Sequence, residues 1–191
     1  DVIKKANMTL SSIELLNEES VPKDAAAIII NAPQKDFNKN DAQKVIDYLQ
    51  KGGKAIIVGM HSETEMPNFA SILDTYGVSL TTGPIADNDA QHYYNMGGPL
   101  YLLPNVNSSS YTGSLSGGYV YLPISLGINY PQNSTTDDTE STEESKTTYT
   151  SLLDTSDDAV AKNNPNSMQE VISQCVQAVR EMTERNTTDN K

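Results

Sequence analysis

Apolar residues in this chain fall into two kinds of run. Ala26-Ala27-Ile28-Ile29-Ile30 and Ala55-Ile56-Ile57-Val58 are short and continuous. That is the pattern of strands buried on both faces, as in parallel sheets. Between them Ala42, Val45, Ile46 and Leu49 recur at i, i+3, i+4 and i+7, which is one face of a helix. Asn40 offers that helix an N-cap, with Gln43 as its capping-box partner. Gly52-Gly53 supplies the turn that ends it. Phe69, Ile72, Leu73 and Tyr76 repeat the helical spacing, and Gly77 closes that second helix. Strands joined by helical crossovers are parallel, with a right-handed connection. The expected fold is therefore α/β: an open, mostly parallel sheet with flanking helices.

The pattern changes after Leu80. Residues 81–118 are rich in Gly, Asn, Ser and Tyr and show no helical period. Residues 92–106 read as a short strand or a tyrosine-studded loop. Residues 118–124 and 147–153 read as strands. Between the two lies QNSTTDDTESTEESK (132–146), an acidic low-complexity run expected to form the mobile tip of a long hairpin. Near the C-terminus, Ser167 and Glu170 make a capping box. Met168, Ile172, Cys175, Val179 and Met182 follow at spacings of four, three, four and three. This amphipathic stripe predicts a helix ending near Arg185, packed on the sheet. The expected organisation is a single domain over 1–162, then a helix and polar tail over 163–191.

Composition removes several functions. The chain has 191 residues, 25 Asp+Glu against 13 Lys+Arg, and a net charge of −12. Such charge opposes phosphate backbones, so nucleic acid is not an expected partner. No segment approaches the apolar length needed to span a bilayer. A chain beginning at Asp1 without a signal peptide is expected to be an excised or processed segment, with any anchor outside it. One cysteine excludes an internal disulfide. Four N-x-[ST] triplets, at Asn7, Asn107, Asn133 and Asn186, carry little weight in a chain so rich in Asn, Ser and Thr.

Candidate chemistry is sparse. Cys175 lies in an apolar helical stripe, the setting of an inert thiol rather than a nucleophile. No G-x-S-x-G or glycine-rich phosphate loop is present, and no cofactor is expected. His61, with Glu63 and Glu65, follows the second strand at its carboxyl end, where open α/β sheets bind ligands. A solvated loop is the simpler reading of that cluster, and no metal site is expected. His92 is read as an ordinary histidine. Asp154, Asp157 and Asp158 are read as a capped turn, lacking EF-hand spacing. Tyr93, Tyr94, Tyr101, Tyr111, Tyr119 and Tyr121 crowd one region. Tyrosine suits binding interfaces, but the half-buried faces of strands are the simpler reading. The expected ligand or partner surface comprises Asn31, Gly59, His61, Tyr93 and Tyr94.

Several segments carry a resemblance. VPKDAAAIIINAPQKD leads to the helix end YLQKGG; PNFASILDTYGV follows, and LLDTSD lies beyond the tyrosine-rich stretch. In order and spacing, roughly residues 10–162 resemble the extracytoplasmic domain of the ABC-transporter auxiliary, or gliding-motility GldG-like, family. The resemblance implies an α/β module related to class I glutamine amidotransferases and intraflagellar-transport-type domains, also described as flavodoxin-like. It implies a bacterial domain outside the cell membrane, anchored by flanking helices beside an ABC-2 type permease and its ATPase. It brings no catalytic or ligand residues. The chain departs from the family by starting inside what would be its first helix, without the earlier strand and its Gly-His-Gly-Glu-like turn. It departs again after LLDTSD, where Asn163-Asn164-Pro165-Asn166 replaces a Gly-Pro segment and further strands. The expected function is a non-catalytic accessory or binding domain of an ABC-type export or gliding-like system. Its expected partners are permease and ATPase subunits or a second copy of itself. The alternatives are a small-molecule or carbohydrate-binding sensor at the cell surface, and a cryptic hydrolase using His61.

Overall fold

A computed structural model describes residues 2–62, 64–115, 118–131 and 147–162, together with Ser173. Contacts divide the chain into two units: residues 1–58 with 64–76, and residues 59–63 with 77–191.

In the first unit, a helical turn α1 (Val2–Lys5) precedes strand β1 (Ile28–Asn31), helix α2 (Lys39–Gln50), strand β2 (Ala55–Val58) and helix α3 (Pro67–Asp74). β1 and β2 pair in parallel, Ile28 opposite Ala55 and Asn31 opposite Val58. Val21, Ile28, Ala42, Val45, Leu49 and Ile72 form the core, with Ile30 and Ile57 packed against it. Phe37 stacks on the buried Phe69, ring centroids 6.3 Å apart.

Side chains meet the free amides at the starts of α2 and α3. Asn38 accepts from the Asp41 backbone N–H at 2.8 Å, and its amide donates to the Asp41 carboxylate at 2.6 Å. The start thus falls two residues before the expected Asn40, because Asp41 completes the box and is held by Lys44 at 2.9 Å. Gln43 instead donates to Asp47 at 2.7 Å. The cap of α3 comes from far along the chain. Asp36 accepts from the Asn68 and Phe69 backbone N–H groups at 3.1 and 2.8 Å, and from the Asn68 side chain at 2.9 Å. A carboxylate there satisfies orphan amides and meets the positive end of the helix.

The second unit is built from short antiparallel pairs. Its strands are β3 (Ser79–Asp87), β4 (Tyr101–Leu102), β5 (Asn105–Val106), β6 (Leu122–Pro123), β7 (Leu126–Asn129), β8 (Leu153–Asp154) and β9 (Ala159–Ala161). β3 is shared: its first part pairs with β7 and its last three residues with β9. The change of partner falls at Pro84, beside an irregularity that Thr81 fills. The Thr81 hydroxyl donates to Gly83 O at 2.7 Å and accepts from Gly127 N–H at 2.9 Å. β4 pairs with β6, and β5 with β8. Ala86 and Leu100 are buried together, with Tyr101 and Ile124 against them.

This corrects the expected open, mostly parallel sheet. Parallel pairing stops at two strands, and the other described pairs are antiparallel. The apolar runs misled because continuity was taken for burial on both faces. Burial in fact alternates: Ile29, Ile56 and Val58 are 47%, 60% and 43% exposed. Further parallel strands need helical crossovers, and no helical period follows Gly77 within the described residues. The expected hairpin of 118–124 with 147–153 is also replaced. Pro123 and the positive φ of Ile124 (51°) turn the chain, so β6 joins β4 while β8 joins β5. The acidic run 132–146, Cys175 and, apart from Ser173, the segment expected to form the C-terminal helix lie outside the described residues.

Candidate functional site

The tyrosine-rich stretch folds into a tight hairpin. Tyr94 N–H donates to Tyr101 O at 2.8 Å, and Leu103 N–H to His92 O at 2.7 Å. Gly97 and Gly98 N–H groups both return to Tyr94 O, at 2.8 and 2.9 Å. Gly98 takes a positive φ of 78°. Any Cβ on Gly97 would run into the Tyr101 ring. Two glycines are thus required for the bend and for the close approach of Tyr101.

This backbone places three rings together. The hairpin sets Tyr94 across from Tyr101, and β4–β6 pairing brings Tyr121 alongside. Tyr94 and Tyr121 meet edge to face, centroids 6.1 Å apart at 82°. Tyr101 and Tyr121 stack at 6.1 Å and 24°. The Tyr94 hydroxyl donates to Met96 Sδ at 3.2 Å. Tyr94 and Tyr121 stay 46% and 49% exposed, and Met96 87%. Rings fixed against one another yet open to water lose little freedom on binding a partner. The sequence around them has one further property: residues 90–136 contain no Asp, Glu, Lys or Arg.

A polar network supports the hairpin from below. Asp87 at the end of β3 is buried, and accepts from Ser156 Oγ and from Ser156 N–H at 2.9 Å, and from Asp89 N–H at 3.0 Å. Asp154 accepts from Asn107 Nδ2 at 2.6 Å and from the Ser151 hydroxyl. Those two bonds hold its carboxyl below the usual value, against a smaller opposing effect of burial.

The expected surface residues are only partly gathered here. Tyr94 belongs to the cluster. Tyr93, its half-buried neighbour, faces Leu102 through a backbone bridge. Asn31 is exposed at the end of β1, in the first unit. Gly59 and His61 belong to the second unit, and Gly59 leaves room for Leu80. His61 is half-buried with Nε2 inaccessible and without a hydrogen-bond partner among the described residues. No hydrogen bond or ring contact joins His61 to Tyr94 among the described residues. Among those residues no group of three His, Cys, Asp or Glu is placed to hold a metal. Tyr111 and Tyr119 are 79% and 91% exposed, outside the ring cluster.

No family model, curated protein or solved structure matches this chain.

Tyr101 and Tyr121 were absent from the expected surface. Their partnership depends on β4–β6 pairing, which neither segment signals by itself. Asp87 was missed too, because a buried carboxylate looks in sequence like any exposed one. The motifs behind the family resemblance have architectural roles here. The Asp of A-P-x-x-D is Asp36, the cap of the P-N-F helix. The Ser of L-L-x-T-S-D is Ser156, the partner of Asp87.

Proposed function

We propose that this chain is a binding domain and that the face formed by Tyr94, Tyr101 and Tyr121 is its contact surface. The observation that carries this is the exposed, mutually packed ring cluster in a stretch without ionisable carboxylates, lysines or arginines. Interfaces concentrate energy in such aromatic anchors. The order of motifs described above supports a place for the domain in a bacterial ABC-type export or gliding-like system, on the outer side of the membrane. Permease and ATPase subunits are then its partners. Pull-down from source membranes tests this. Recovery of both subunits is expected, and their absence counts against the transport assignment.

A second reading is favoured by the absence of Asp, Glu, Lys and Arg from the stretch 90–136 that carries the rings. Neutral carbohydrates stack on aromatic faces and need no ionic partner, so a carbohydrate-sensing role fits the same surface. Titration with neutral oligosaccharides separates the two readings. A ligand-dependent rise in melting temperature supports sugar binding, since a ligand held only by the folded state stabilises it. No rise leaves the surface to protein partners.

A further inference from the structure

His92 has an oxygen at each ring nitrogen. Nδ1 lies 3.0 Å from Asp89 Oδ2, and Nε2 lies 3.2 Å from Asn105 Oδ1. A neutral imidazole has one N–H and can satisfy only one of these acceptors; imidazolium satisfies both. The three residues come from different places: Asp89 from the turn after β3, His92 from the first arm of the tyrosine hairpin, and Asn105 from β5. The backbone ties the same parts, for His92 N–H donates to Asp89 O at 2.9 Å and His92 O accepts from Leu103 at 2.7 Å. Asp89 is itself oriented by the Gln91 N–H at 2.9 Å.

We propose that His92 is a proton-operated clasp, closed when protonated, that fixes the hairpin 92–103 and so the placing of Tyr94 and Tyr101. Its effect on ligand binding rests on the reading of the tyrosine face given above; the clasp itself does not.

The surrounding charges favour the closed form. Burial draws the His92 value down. The hydrogen bonds to Asn105 and Asp89, with the negative charges of Asp89 and Asp87, outweigh it and raise the value above 6.5. Asp154, paired with Asn105 across β5–β8, is occupied by Ser151 and Asn107. Asp89 is lowered from 3.8, first by the Gln91 N–H, then, against burial, by His92. A raised histidine stabilises fully below 6.5, and that contribution is lost as pH climbs through the folded value. A lowered carboxylate stabilises above 3.8, and that contribution is lost as pH falls through its folded value. The clasp is therefore tightest between 3.8 and 6.5.

NMR titration of the full chain, following both imidazole nitrogens and amide protection factors, provides the test. His61, the other histidine, is separated by assigning His92 with His92→Gln. Both His92 nitrogens should be protonated at about pH 5.5, with a midpoint above 6.5. Asp89→Asn should lower that midpoint and Asn105→Asp should raise it. Protection of amides 92–103 should fall severalfold as His92 loses its proton, while amides of α2 keep theirs. Three results would each overturn the proposal. One is a midpoint at or below 6.5. Another is a neutral ring with Nε2 accepting from a turned Asn105 amide. The third is deprotonation that leaves hairpin protection unchanged. Neither readout uses a ligand, so failure of the clasp and failure of the tyrosine face as a binding surface are told apart.

Discussion

Single carboxylates tie distant parts of this acidic chain together. Asp36 gathers two helix N–H groups and an amide from residues more than thirty positions away. Removing it leaves those donors short of a partner inside a part-buried corner. Asp36→Ala is expected to lower stability by about 1–3 kcal/mol, and Asp36→Asn by less, since an amide oxygen still accepts. Urea denaturation measures both, and an unchanged midpoint for Asp36→Ala contradicts this role. Asp87 plays the corresponding part in the second unit, holding Ser156 and the turn that carries Asp89. Asp154 adds a pH-dependent contribution. Its lowered value means that its stabilisation is present above 3.8 and disappears as pH falls through the folded value.

At the scale of elements, the two faces of β1–β2 differ in cost. Ile28 is buried against α2 and α3, whereas Ile56 is 60% exposed. Ile28→Ala should cost about 2–5 kcal/mol, and Ile56→Ala should stay within about 0.5 kcal/mol. Comparable losses at both sites would restore the doubly covered sheet that the structure contradicts. The same contrast shows what the sequence makes legible. The helices of the first unit were readable because a 3.6-residue period, Gly52 and Gly77 are local signals; both glycines take positive φ. Strand pairing is not local. Ile29 and Ile56 look like core from composition, and nothing near them reports that both stay exposed among the described residues. β7 and β9 become strands through β3, whose change of partner at Pro84 depends on residues far apart in sequence. The tyrosine cluster was half legible for the same reason. Tyr94 stood out by crowding, while Tyr121 joined it through strand order.

For the molecule as a whole, the ionisable Asp, Glu, Lys and Arg residues are unevenly spread along the sequence. The chain carries a net charge of −12, yet the stretch carrying the rings, residues 90–136, has no Asp, Glu, Lys or Arg. Binding through that face should therefore depend little on ionic strength. Affinity for a recovered partner should change less than about twofold between about 0.05 and 0.5 M salt, where screening of exposed charges is strong. A steep loss would place the contact on the acidic surface instead. Among the described residues no helix is long and apolar enough to cross a membrane.

The most direct measurement compares the wild-type chain with Tyr94→Ala/Tyr121→Ala in quantitative binding to the recovered transporter subunits or neutral glycan. Melting temperature is checked in parallel. The exposed rings should be removable with the fold intact, while affinity falls at least tenfold, or about 1.4 kcal/mol. Equal affinity in a folded variant would show that the tyrosine face is not the contact surface.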